Sequence, residues 1–100
     1  MIKHIVMWRF KDFAENNDKK TNLQIAKERL LSLKGKVPSL VSIEAGVNFN
    51  TSDTAYDLAL YTEFNDVKGL DEYQNHPEHL KVAGFIRSVV ESRVVADYEA

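Results

Sequence analysis

Apolar and polar positions alternate with a period of two over residues 2–10, IKHIVMWRF. Ile2, His4, Val6, Trp8 and Phe10 fall on one face, and Lys3, Ile5, Met7 and Arg9 on the other. The stretch predicts a strand with apolar groups on both faces. From about Asp18 to Lys34 the period changes. Leu23, Ala26, Leu30 and Leu33 recur at helical spacing, Lys19, Lys20, Lys27 and Lys34 are left for solvent, and Gly35 is the predicted stop. After Pro38 the alternation returns, with Val41, Ile43, Ala45, Val47 and Phe49 on one face. Asn50-Thr51-Ser52-Asp53 reads as a polar turn into a second strand over 56–64, YDLALYTEF. In that strand Tyr56, Leu58, Leu60, Thr62 and Phe64 share one side, while Asp57, Ala59, Tyr61 and Glu63 share the other.

Asn65 or Asp66 can cap a second helical region that runs through Leu70 and Tyr73 to Pro77. Proline disfavours helical geometry in the residue before it and is well tolerated at a helix's first position. A new helical segment is therefore predicted from Pro77 through Leu80, Ala83, Ile86 and Val90. Residues 92–98, SRVVADY, close the chain as a strand. The order β-α-β-β-α-β predicts an α+β, ferredoxin-like sandwich over residues 1–100, with a four-stranded antiparallel sheet and both helical regions on one face. Such a layer arrangement leaves the second apolar face of the first strand wet. A second copy of the chain is the simplest cover, so a homodimer is expected.

Composition narrows the function classes. One hundred residues with 44% hydrophobic content can bury a core without cross-links, and the absence of cysteine removes disulfides and thiolate chemistry together. The first residues, MIKHIVMWRFK, are broken by Lys3, His4 and Arg9, so they lack the uninterrupted apolar core of a signal peptide and are too short to cross a bilayer. The expectation is a soluble, cytoplasmic protein with no membrane contact. Charge is uneven, with a basic segment over residues 16–36 and an acidic one over residues 37–100, and the net value is −2. That basic segment reads as one solvated helix face, without the basic domain or nearby exposed aromatics of a nucleic-acid binder.

Candidate chemistry concentrates in Tyr73-Gln74-Asn75-His76-Pro77-Glu78-His79, which holds two of the three histidines. His76 reads either as a boundary residue hydrogen-bonded at the proline junction or as a pocket residue. Tyr73 shares a helical face with Leu70 and is either a core residue with its hydroxyl at the edge or an acid-base group. His79 follows the break and can face a pocket or solvent. His4, beside Val6 and Trp8, is either a hydrogen-bonded core histidine or part of a site. A metal site is not expected, since the proline separates His76 from His79 and no cysteine is available.

The opening IKHIVMWRFK, the strand YDLALYTEF, the run N-D-V-x-x-L-x-x-Y-x-x-H-P-x-H and the closing VVADYE together resemble the stress-responsive A/B-barrel domain (Dabb) family over nearly the whole chain. The resemblance implies a dimeric α/β barrel in which two ferredoxin-like sheets face one another. In some plant relatives that act as polyketide cyclases, the second histidine of the motif and the tyrosine before it form an acid-base pair. By that resemblance His79 and Tyr73 are the catalytic candidates, the first-strand histidine corresponds to His4, and His76 is shared with the family. No motif carries the tunnel lining across, and Val6, Trp8 and Tyr61 join His4 and His76 as candidate ligand-binding residues only from their places in the strand pattern.

Two function classes remain open at this level. One is an enzyme without cofactor or metal, a cyclase, lyase or isomerase in which a neutral imidazole removes a proton beside a carbonyl and a phenol holds the oxyanion; cofactor-independent monooxygenases of the same fold are a variant. The other is a non-catalytic or stress-protective dimer that binds a small, largely apolar molecule. The substrate has no signature in the sequence.

Overall fold

The computed structural model describes residues 1–100. The chain begins with the strand β1 (Ile2–Phe10), followed by a short hairpin of β2 (Phe13–Ala14) and β3 (Asn17–Asp18) that periodicity did not predict. Its two-residue turn places Glu15 and Asn16 in the left-handed region, with φ of 52° and 62°, the geometry that matches the twist of a tight hairpin. The buried Asn22 ties this hairpin down by donating from its side chain to the Ala14 carbonyl at 3.0 Å.

Helix α1 (Lys19–Leu31) starts where the Asp18 carboxylate accepts the Thr21 amide at 2.8 Å. It stops three residues before the expected Lys34. The Ser32 hydroxyl donates to the Arg29 carbonyl at 2.6 Å, and tighter bonds, Leu33 to Leu30 and Lys34 to Leu31, take over. Leu33 is still buried, but by a turn, and Gly35 lies beyond it with φ of 87°. Strand β4 (Ser42–Val47) is also shorter than the alternation implied. Past Val47 the Asn48 side chain accepts the Asn50 amide and Asn50 accepts that of Ser52, which curls the backbone away from the ladder and leaves Phe49 97% exposed. Strand β5 (Leu58–Phe64) returns antiparallel to β4.

Helix α2 (Val67–Asn75) is capped by the Asp66 carboxylate, which accepts the Gly69 amide at 2.7 Å. Helix α3 (Pro77–Val89) begins directly after the break at His76. Its buried stripe is Val82, Ile86 and Val89, whereas Leu80 is 54% exposed. Strand β6 (Val90–Glu99) completes a sheet of order β4-β5-β1-β6 in which every neighbouring pair is antiparallel.

The register fixes which side of each strand meets the helices. Ile2, Val6 and Trp8 stand opposite Phe64, Leu60 and Leu58, and all six are buried beneath the helical layer. The other side of the sheet, with Ile5, Met7, Ala59, Tyr61, Val94 and Ala96 at its centre, has no helix over it. Val6 is 1% exposed and its neighbour Met7 is 39% exposed. No helix is long and apolar enough to cross a membrane.

Candidate functional site

The helices pack chiefly over β4, β5 and β1 and least over the edge strand β6. Along β6 the positions paired with Trp8, Val6 and His4 are Arg93, Val95 and Asp97, and all three are exposed although they face the helical side. The wedge between this strand, β1 and the helices α2 and α3 is a cavity of about 500 Å³. That volume lies within the range of about 300–1,000 Å³ typical of small-molecule sites. Val6, Trp8, Leu60, Val82 and Ile86 form most of its apolar wall, and His4, Gln74, His79, Arg87 and Arg93 are its main polar members.

The proline break positions His79. His76 has extended backbone, with ψ of 135°, and its Nδ1 accepts the Glu78 amide at 3.1 Å as the cap of α3. The new helix direction brings the His79 ring against Tyr73, centroid to centroid 4.4 Å. His79 Nδ1 lies 3.2 Å from the Gln74 carbonyl. A carbonyl only accepts, so Nδ1 carries the proton and Nε2 of the neutral ring keeps its lone pair. Burial pushes the imidazole below its ordinary value of 6.5; the Gln74 bond opposes this, and His4, Arg93 and His76 add to it. His79 is therefore a neutral imidazole on the cavity wall at neutral pH.

Tyr73 lies behind it. Its ring is fully buried against Phe64 (5.0 Å between centroids), His79 and, edge-on at 6.3 Å, His4. Its hydroxyl has no hydrogen-bond partner, and burial drives the phenol pKa upward. The structure thus joins Tyr73 to His79 by ring packing but does not bring the hydroxyl to the cavity surface.

His4 does line the cavity, with Nδ1 bonded to the Asp97 carboxylate on the neighbouring strand. Val6 and Trp8 stand beside it as the alternation required. His76 does not reach the cavity, because capping α3 uses its ring nitrogen. Tyr61 is on the opposite side of the sheet. Its hydroxyl donates to Glu63 at 2.8 Å and Lys3 Nζ sits 5.7 Å above its ring, so the register separates it from His4, Val6 and Trp8. No cluster of three or more histidine or acidic side chains is placed to hold a metal ion.

Asp97, Gln74, Arg87 and Arg93 were not among the residues expected at the site. Gln74 acts through its backbone and leaves no side-chain signature. Asp97 meets His4 across 93 positions of sequence, through a strand register that alternation alone cannot fix.

A family model described as the stress responsive A/B barrel domain matches residues 2–100. Among solved structures, a dimeric protein of ferredoxin-like fold from Bacteroides fragilis is 31% identical, with a TM-score of 0.87 over 99% of this chain and 95% of that one. A dimeric ferredoxin-like protein from Thermobifida fusca is 22% identical, with a TM-score of 0.85 over 99% and 90% of the two chains. The hydroxynitrile lyase from Passiflora edulis is 19% identical, with a TM-score of 0.80 over 97% and 90%. No curated protein sequence matches this chain. With the family model spanning almost its full length, the chain belongs to the stress-responsive A/B-barrel domain family.

Proposed function

We propose that this protein is a homodimer whose subunits each bind a small, largely apolar molecule between β1, β6 and the helices, and that His79 removes a proton from the bound molecule beside a carbonyl group. The observation that carries the reading is the Nδ1 bond from His79 to the Gln74 carbonyl at the wall of an apolar cavity. It selects the tautomer in which Nε2 accepts, and burial keeps the ring unprotonated. No metal or organic cofactor is needed for such a step: the C–H proton passes to Nε2, the electron pair moves onto the carbonyl oxygen, and reprotonation or bond cleavage follows from the enolate. Tyr73 supports the imidazole through ring packing. The hydroxynitrile lyase from Passiflora edulis shares the fold, and this likeness identifies neither a reaction nor a substrate for this chain. Dimerisation is supported by the apolar centre of the uncovered sheet face and by the dimeric relatives.

The reading is testable without the natural substrate. Trp8 is the only tryptophan and lines the cavity, so its fluorescence reports binding of a medium-chain 2-alkanone directly. In D2O, proton magnetic resonance then follows exchange of the protons beside the carbonyl. The expected result is saturable exchange above buffer that falls at least about a hundredfold in His79→Ala while binding persists. Saturable binding with no exchange above buffer rejects the base.

That second outcome has its own support. The sealed Tyr73 hydroxyl withholds from the cavity the phenol that the resemblance pairs with His79, as in a protein that binds its ligand without converting it.

A further inference from the structure

The chain has four arginines, and their surroundings divide them. Arg9 donates to the Asp53 carbonyl at 3.1 Å and lies 4.6 Å over the Tyr56 ring, and Arg29 lies 4.3 Å over the Phe85 ring. Arg87 and Arg93 make no ion pair, hydrogen bond or ring contact within the chain, and both line the cavity. Arg87 has an ordinary role available, since it sits in the last turn of α3, where a cation suits the helix dipole. Arg93 has no such role. It stands opposite Trp8 on the helical side of β6, near enough to His79 for its charge to help hold that imidazole neutral.

We infer that the cavity selects an amphipathic monocarboxylate, with its hydrocarbon body against Val6, Trp8, Val82 and Ile86 and its carboxylate on Arg93, assisted by Arg87. The inference rests on the reading of this cavity as a small-molecule site. Charge complementarity carries it. Arg87 and Arg93 are two fixed positive charges among the lining residues and Glu91 is the one acidic side chain, so the wall offers more cationic than anionic groups to a carboxylate. Glu91 lies at the irregularity between the Arg9–Ser92 and Phe10–Val90 pairs and has no partner on β1. The competing carboxylate on the side that Arg93 faces, Asp97, is occupied by His4. A guanidinium offers parallel donors that a carboxylate can accept in pairs, a geometry a neutral alcohol cannot reproduce.

Octanoate and 1-octanol test this directly, since their hydrocarbon chains bury nearly the same surface and differ in the head group. Both are titrated against Trp8 fluorescence on the intact protein at low salt and about pH 8, well above the ordinary histidine range. Octanoate is expected to bind about tenfold more tightly than octanol. Arg93→Gln should remove that advantage and leave octanol affinity unchanged, with Arg29→Gln altering neither ligand. Salt at about 0.5 M should weaken octanoate alone. Equal affinity for the two ligands, or an octanoate affinity indifferent to Arg93→Gln, overturns anion selection while leaving the apolar cavity standing. If neither ligand perturbs Trp8, both this inference and the small-molecule reading fall together.

Discussion

The two faces of the sheet are made by the same strands and differ in nearly every physical respect. On the helix-covered face, Val6, Leu60 and Phe64 are packed shut, and of the polar groups among them Thr62 donates to the His4 carbonyl at 3.0 Å and His4 bonds Asp97, while the Tyr73 hydroxyl has no partner. On the uncovered face, Ile5, Met7, Ala59 and Ala96 lie in the open, flanked by Lys3, Glu63 and Tyr61, which satisfy one another. One face specifies the fold of a chain; the other has the character of a surface awaiting a second chain. Alternation at single-residue steps lets β1 carry both, because Val6 and Met7 are adjacent in sequence and separated by the thickness of the sheet.

The sharpest way to break that division is to damage the covered face. Tyr73→Ala removes a fully buried ring touching Phe64 and His79 and should lower unfolding free energy by about 3–5 kcal/mol in a urea titration. Tyr73→Phe keeps the ring and removes only the unpartnered hydroxyl, so stability should hold or rise by about 1 kcal/mol. A large loss in Tyr73→Phe would mean that the hydroxyl has a partner after all.

Damage to the open face should act on assembly. Met7→Lys places a charge at the centre of the proposed dimer contact and should weaken association by about a hundredfold, near 2.7 kcal/mol. Light scattering should report the monomer mass with circular dichroism unchanged. A dimer that survives Met7→Lys at the same concentration moves the contact elsewhere.

The smallest effect is protonic. As the pH falls through 6.5, a histidine in the unfolded chain takes up a proton that His79 in the folded chain resists. The unfolded state then binds more protons, so stability declines until the lowered folded value is passed and levels off below it. His79→Gln should flatten this part of the acid profile relative to the parent, and identical slopes in the two proteins would contradict the lowered value.

Local features were legible in the sequence because their causes are local. The two-sided β1, the Asp66 cap and the Pro77 break each follow from a few adjacent residues. The early end of α1 depends on whether the Ser32 hydroxyl or Gly35 terminates it, and helical spacing does not decide between them. The β2–β3 hairpin turns on Glu15 and Asn16, which lack the usual glycine signal. Of the residues that line the cavity, His79 was singled out by resemblance, and His4, Val6 and Trp8 were placed on one strand face by alternation. Tyr61 falls on the other side of the sheet from them because the pairing of β5 with β1, which spans more than fifty residues, decides which side of one strand matches which side of the other. Arg93 escaped for the same reason, since only the β1–β6 register sets it opposite Trp8.

The central place of β1 also bears on how the chain comes to be folded. This strand is synthesised first, yet its neighbours are β5 and β6, so neither of its edges can be paired until residues beyond 58 exist. Until then an apolar segment waits for distant partners, and its closure is slow because long loops must be gathered before the ladders reward it. Protease pulses on stalled nascent chains should therefore find β1 cleavable until β5 has emerged, and protection before that point would mean that an earlier, non-native partner shelters it.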